Sequence, residues 1–156
     1  MTHPVWRIAS VKSLTLESMW IGATLAAGRW HPMPPAGKPV VYAGESRSIC
    51  QLEKRVHSNG IAPQNLVLMR LDLPEDAELD ELPLADLPPR WTNNQTLTQA
   101  LGLQWRAAGR TLGLWVPSAV EPGDRNIVIN PEHPLYRRIG VTVERTPFIF
   151  DPRMFN

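Results

Sequence analysis

Hydrophobic and polar positions change places in short runs along this chain, and the runs predict strands interspersed with short helices. Val5 to Ala9 reads as a first strand, carrying Arg7. Ser13 to Ala27 sets Leu16, Trp20, Ala23 and Ala27 at helical spacing and predicts a helix. Gly28 to Lys38 is rich in proline and glycine and reads as a loop. Val40 to Ala43 is a β-branched run and predicts a strand. Ser46 to Asn59 follows as an amphipathic helix, with Gly60 as its natural stop. Its inward stripe is expected to be Ile49, Leu52, Glu53 and Val56. Asn65 to Leu73 predicts a strand with Val67, Met69 and Leu71 on one side.

The pattern then breaks. Pro74 to Pro89 holds Glu75, Asp76, Glu78, Asp80, Glu81 and Asp86 between prolines and leucines. It reads as a solvated excursion rather than a domain linker, because strand signals resume after it. Thr92 to Gly109 contains a helix with Leu97, Leu101 and Trp105 on one face. Leu112 to Pro117, Asn126 to Ile129 and Val141 to Phe150 read as strands, and Pro131 to Arg138 as a short helical turn. The expectation is one α+β domain over residues 1–156, with a mixed or antiparallel β-sheet core and short helices.

Composition narrows the function classes. A 43% hydrophobic and 20% charged chain fits a soluble globular protein. A net charge of +1 makes no electrostatic case for binding nucleic acid or an anionic membrane. No apolar run reaches the length of a bilayer span, and Met1 to Arg7 lacks a signal-peptide pattern. Cys50 is the single cysteine, so no internal disulfide forms and the cytoplasm is the default. Arginine outnumbers lysine 13 to 3. Arginine suits bidentate contact with phosphate and carboxylate, although coding bias explains most such excesses. Six tryptophans are core anchors for the most part, with one or two free to stack on a planar ligand.

Much chemistry is absent from the sequence. There is no Walker-type loop, no GxGxxG after a strand and no GxSxG elbow. His3, His31, His57 and His133 are scattered, with no metal-ligand spacing. What remains are polar residues at element ends. Glu53 is a carboxylate at the edge of an apolar stripe, costly unless paired or employed, with Arg29 and Arg55 as available partners. Arg29, between Gly28 and Trp30, is either a surface arginine or an anion clamp. Tyr42 ends a strand, Ser118 follows another, and Asn126 and Asn130 flank a third.

In their order these pieces resemble a known family. Gly28-Arg29-Trp30, Val40-Val41-Tyr42-Ala43-Gly44-Glu45-Ser46, Leu52-Glu53, Val116-Pro117-Ser118-Ala119, Ile129-Asn130-Pro131-Glu132-His133-Pro134 and Pro147-Phe148-Ile149-Phe150-Asp151-Pro152-Arg153 together resemble the RES domain. This is the toxin component of RES–Xre toxin–antitoxin systems. The likeness runs from Trp6 to Arg153. The interval from Arg29 to Tyr42 is longer than the family's, with Met33-Pro34-Pro35 as the insertion.

The resemblance implies a fold similar to ADP-ribosyltransferase toxins and an activity that consumes NAD+. The reaction is phosphorolysis or hydrolysis of the nicotinamide–ribose bond, or ADP-ribosyl transfer to a protein. A non-catalytic binding module with the same fold is the alternative from another class. The family's arginine, tyrosine and glutamate fall on Arg29, Tyr42 and Glu53, its serine on Ser118, and its asparagine on Asn130, with Asn126 as the second choice. Arg29, Tyr42 and Glu53 are the expected catalytic residues; Arg29, Tyr42, Ser118 and Asn130 are expected to hold the ligand. Inorganic phosphate is a possible co-substrate, and no metal is implied. The implied partner is an Xre-type helix-turn-helix antitoxin in a hetero-oligomer, with any DNA contact belonging to the antitoxin.

Overall fold

A computed structural model describes residues 2–156; Met1, the first residue of the N-terminal stretch, lies outside the described residues. The strands are β1 (His3–Ser10), β2 (Val41–Gly44), β3 (Leu66–Leu73), β4 (Leu79–Glu81), β5 (Gly113–Pro117), β6 (Arg125–Ile129) and β7 (Gly140–Phe148). The helices are α1 (Leu16–Met19), α2 (Ile21–Leu25), α3 (Arg47–Val56) and α4 (Gln95–Ala108). Short 3₁₀ turns cover Leu84–Asp86, Trp91–Asn93, Pro134–Arg138 and Pro152–Phe155. All strands join one sheet in the order β4-β5-β6-β2-β1-β3-β7. Pairing is antiparallel except for β4 with β5. This is the α+β mixed sheet expected from the hydrophobic pattern.

Side-chain alternation explains the two-sided core. Val67, Met69, Leu71 and Leu73 of β3 enter one cluster with Val41, Ala43, Ile127 and Ile129. The intervening Leu66 and Leu68 pack with Ile8, Phe148 and Phe150 on the other side. Val128, Leu114 and Val116 meet Trp30, Trp91, Leu101 and Trp105 beneath α4. The inner strands β3, β5 and β6 are thus apolar on both faces, as a sheet covered on both sides requires, while β7 at one edge is largely exposed and β4 at the other is half-buried.

One seam in the sheet is weak. β1 and β3 run in register over eight residue pairs, from His3 opposite Leu73 to Ser10 opposite Leu66. β1 and β2 are registered only at Trp6 opposite Gly44. The backbone of β2 before that point needs another hydrogen-bond donor. Arg7 supplies it: Nη1 donates to the Tyr42 carbonyl at 2.8 Å.

Four expectations need correction. The 13–27 segment is two short helices, not one. A capping box between Thr15 and Ser18 starts α1, which breaks at Trp20. Its inward residues are Met19 and Ala23; Ala27 is exposed. The stripe of α3 is also different. Ser46 caps the helix through the Ile49 amide, Ile49 and Cys50 face the core, and Leu52 and Val56 are exposed. Helical spacing alone fits either face; the close seat of α3 on β1 and β2 decides it.

The acidic 74–89 segment is no loose excursion. It contributes β4, which pairs with β5 from Gly113 to Trp115. Asp80 accepts from Thr111 Oγ1 at 2.9 Å, and Glu81 pairs with Arg125 at 2.8 Å. Charged side chains on an edge strand protect it from further pairing. Finally, the buried line of α4 is Thr98, Gly102 and Arg106, with Leu101 and Trp105 partly buried beside it. A side chain at Gly102 would stand 1.8 Å from the Trp30 carbonyl oxygen, so this face seats backbone rather than side chains.

Candidate active site

A cleft of about 590 Å³ opens at the β1–β2 seam. Its lining includes Arg7, Arg29, Tyr42, Glu53, Lys54 and Asn126. Arg29, Tyr42 and Glu53, which the sequence offers on a loop, a strand and a helix, therefore share one hollow.

Glu53 projects from the second turn of α3. Its Oε1 accepts from Ser118 Oγ at 2.7 Å and from Asn126 Nδ2 at 2.8 Å. Ser118 is fully buried at the end of β5. Its oxygen also accepts from the amides of Val120 and Glu121, at 3.0 and 3.1 Å. A hydroxyl has one proton and two lone pairs, so Ser118 is fully committed. It orients Glu53 and has no capacity left for a ligand. Among the described residues, the second carboxylate oxygen, Oε2, accepts no hydrogen bond; His57 Nδ1 lies 3.9 Å from it. Neither Arg29 nor Arg55 pairs with Glu53; Arg55 Nε instead donates to the Met154 carbonyl at 2.6 Å.

Asn126 and not Asn130 stands at the site. The two lie at opposite ends of β6, about 13 Å apart at the usual rise per strand residue. Asn130 is buried; its Oδ1 accepts from the Glu132 amide at 2.9 Å and its own amide donates to the Leu112 carbonyl. It holds the turn after β6 and reaches no ligand space. The RES-like motif Ile129-Asn130-Pro131 draws attention to it by adjacency, while Asn126 reaches Glu53 only through β2–β6 pairing.

Tyr42 presents its ring but not a free hydroxyl. Oη accepts from the Trp30 amide at 3.2 Å and lies 2.6 Å from His31 Nδ1. His31 Nε2 faces the carbonyls of Ala26 at 2.9 Å and Ala23 at 3.2 Å. Carbonyls only accept, so Nε2 carries the proton, and in that neutral tautomer Nδ1 accepts a hydrogen bond from the Tyr42 hydroxyl. Burial pushes the Tyr42 phenol well above its usual range, with the Trp30 hydrogen bond opposing. The Tyr42 hydroxyl is thus spent on the scaffold.

The cationic residues of the cleft contrast with its one bonded carboxylate. Arg29 Nη1 donates to the Thr92 carbonyl at 3.0 Å. Arg7 Nη2 reaches the Met19 carbonyl at 3.3 Å, and its buried Nε has no hydrogen-bond partner. Among the described residues, Arg7, Arg29 and Lys54 form no ion pair. Burial lowers the Arg7 guanidinium pKa. Burial, and secondly Arg7, lowers that of the Lys54 ammonium. A buried guanidinium that lowers the pKa of a neighbouring ammonium makes a ready seat for an anion. Arg7 and Lys54 did not stand out in the sequence. The usable signal was an arginine inside an apolar strand, the same kind of anomaly as Glu53.

Cys50 is a core residue: its Sγ donates to the Trp6 carbonyl at 3.1 Å, and burial pushes its thiol up to about 12. Among the described residues no group of three or more His, Cys, Asp or Glu comes together as a metal site. No helix among them is long and apolar enough to cross a membrane.

Sheet and cleft define an α+β protein whose split seam gathers a fixed carboxylate and unpaired cations. The chain belongs to the RES domain family, which it matches over residues 4–151. It is 34% identical to "Toxin Res" of Photorhabdus laumondii over 148 residues, covering 92% of each chain. It is 34% identical to "Prs ADP-ribosylating toxin" of a Sphingobium species over 162 residues, covering 99% of this chain and 98% of that one. It is 35% identical to "Toxin Res" of Pseudomonas putida over 155 residues, covering 97% and 99%. The toxin–antitoxin complex MbcT–MbcA of M. tuberculosis contains a similar fold, with a TM-score of 0.64 and 17% identity over 99% of this chain and 87% of that one.

Proposed function

We propose that this chain, as a single domain over residues 1–156, is the toxin of a toxin–antitoxin pair and degrades NAD+ at the nicotinamide–ribose bond. The observation that carries this reading is the cleft itself. One carboxylate, fixed by Ser118 and Asn126, shares about 590 Å³ with three cations that have no carboxylate partner. The volume is that of a small-molecule site. A dinucleotide brings what the lining lacks: two phosphates for the cations, and a ribose that becomes positively charged as the bond breaks.

In the reaction, the bond from ribose C1′ to the pyridinium nitrogen breaks and its electron pair leaves with neutral nicotinamide. The sugar passes through an oxocarbenium-like state. Glu53 Oε2 holds a ribose hydroxyl and offsets the growing charge. Arg29 grips the phosphates, with Arg7 and Lys54 adding positive charge beside it. The Tyr42 ring packs against the nicotinamide or ribose face. An oxygen of water or of inorganic phosphate attacks C1′; water releases a proton as it does so. No residue needs to protonate the departing base.

The first experiment is incubation of the purified chain with NAD+, with and without inorganic phosphate, followed by product analysis. Release of nicotinamide is expected; intact NAD+ after prolonged incubation at high enzyme would overturn the reading. A second reading rests on the similarity to "Prs ADP-ribosylating toxin" across nearly the whole of both chains. Here the acceptor is a protein side chain, and label from NAD+ passes to a macromolecule. The cognate partner is an Xre-type helix-turn-helix antitoxin; co-expression with the adjacent reading frame should yield a complex in which NAD+ loss is suppressed.

A further inference from the structure

The Gly28–Pro39 loop has a composition that predicts mobility, yet it carries Arg29. What faces it from α4 is unusual. Asn94 caps α4 by accepting the Leu97 amide at 3.1 Å, which sets the helix register. Gln95, Thr98, Gln99 and Gly102 then fall on one face, at the i, i+3, i+4, i+7 spacing. None of them is a large apolar residue. Gln95 Nε2 and Gln99 Nε2 both donate to the Gly28 carbonyl, at 3.1 and 2.9 Å. Thr98 Oγ1 donates to the Arg29 carbonyl at 2.6 Å, and Gly102 leaves room for the Trp30 carbonyl. One turn further on, Arg106 Nε donates to the Pro39 carbonyl at 3.1 Å. The helix face is complementary to the backbone of the loop along its length.

The same turn is closed on its other side. The Gly28 amide donates to the His31 carbonyl at 3.0 Å, and the Trp30 amide to Tyr42 Oη. A β-carbon on Gly28 would stand 2.7 Å from Tyr42 Oη, so the turn sits tight against the tyrosine. Two consecutive carbonyls hydrogen-bonded by α4, and a third seated against Gly102, leave residue 29 little freedom to shift.

We propose that Gln95, Thr98 and Gln99 are positioning residues for Arg29: they hold the backbone on both sides of its Cα, so that the guanidinium meets the phosphates of the ligand without a prior ordering step. The functional consequence rests on the NAD+ reading above; the mechanical part does not. The residues touch neither ligand nor reacting atoms. Their value is preorganisation, since an arginine on a free loop must be ordered at the moment of binding.

The test compares wild type with Thr98→Val, with Gln95→Ala combined with Gln99→Ala, and with Thr98→Ser. Valine keeps the shape of the buried threonine and removes only its hydroxyl. Hydrogen exchange reads the turn directly: the Gly28 and Trp30 amides should exchange about tenfold faster in the first two variants, with the strands unchanged. Thr98→Ser should behave as wild type. KM for NAD+ should rise about five- to tenfold with kcat nearly unchanged, the pattern of lost binding rather than lost chemistry. In an Arg29→Ala background the same substitutions should add no further rise. Unchanged exchange at 28 and 30 overturns the clamp, as does an equal KM penalty with and without Arg29. Should wild type neither bind nor turn over NAD+, the functional reading fails while the exchange result still decides the clamp.

Discussion

The two halves of the cleft are built in different ways. On the Glu53 half, side chain holds side chain: Ser118 and Asn126 converge on one carboxylate oxygen. On the Arg29 half, side chains hold backbone, and Arg29 itself is tied to a carbonyl. A side-chain network fixes the direction of one charge and depends on the identity of every member. A backbone clamp fixes where the chain runs and tolerates any residue that still donates. The first half fixes the direction of a side chain, the second the course of a stretch of backbone.

That contrast can be broken by experiment. The largest effect belongs to Glu53→Gln. Glutamine keeps an oxygen for Ser118 but removes the charge, so kcat for NAD+ loss should fall by about 10³-fold, with the thermal midpoint close to wild type. A variant that keeps wild-type turnover removes Glu53 from the chemistry.

Next comes the pair of asparagines. Asn126→Ala frees Glu53 to swing, and kcat should fall by about 10- to 100-fold with little loss of stability. Asn130→Ala removes the acceptor of the Glu132 amide, and should cost about 1 kcal/mol in denaturant unfolding while sparing turnover of the folded protein. The reverse pattern would return the functional role to Asn130.

A smaller effect is expected at Lys54. Removing its charge with Lys54→Met should weaken NAD+ binding about fivefold, more at low salt than at high. The pKa direction adds a sharper readout. In the free protein the Lys54 pKa lies below the ordinary lysine value, through burial and then Arg7. A bound anion raises it again. Between the two values the free amine is the less protonated, so binding should take up protons at pH values below the ordinary lysine range. Calorimetry in buffers of different ionisation enthalpy measures that uptake, and Lys54→Met should abolish it.

The smallest effect tests α3, the scaffold of the Glu53 half. Val56→Ser, on its exposed side, should change stability by less than about 0.5 kcal/mol. Ile49→Ala, on its seated side, should cost about 2–5 kcal/mol. Equal penalties at both positions in urea unfolding would restore the stripe that the spacing alone suggested.

The local pattern reached far into this protein. Strand runs such as Val67, Met69 and Leu71 were legible because side-chain alternation is a property of the strand itself. Arg29, Tyr42 and Glu53 were legible as polar residues at element ends and through the ordered RES-like motifs. The face of α3, the strand hidden in the acidic segment and the choice of Asn126 over Asn130 were not. Each depends on which element packs against which.

By itself, then, the order of residues determined most strands, the longer helices and the polar residues at their ends, since those follow from short-range periodicity and residue type; the break at Trp20 and the strand in the acidic segment do not. Only the tertiary structure decided who holds them. Ser118 and Asn126 reach Glu53 across 65 and 73 residues of chain, and Thr98 and Gln99 reach the Arg29 turn across 69 and 71. No pattern within a single element encodes such distances; they arise when sheet pairing and helix docking bring remote segments together, and with them the partners that each polar group must find.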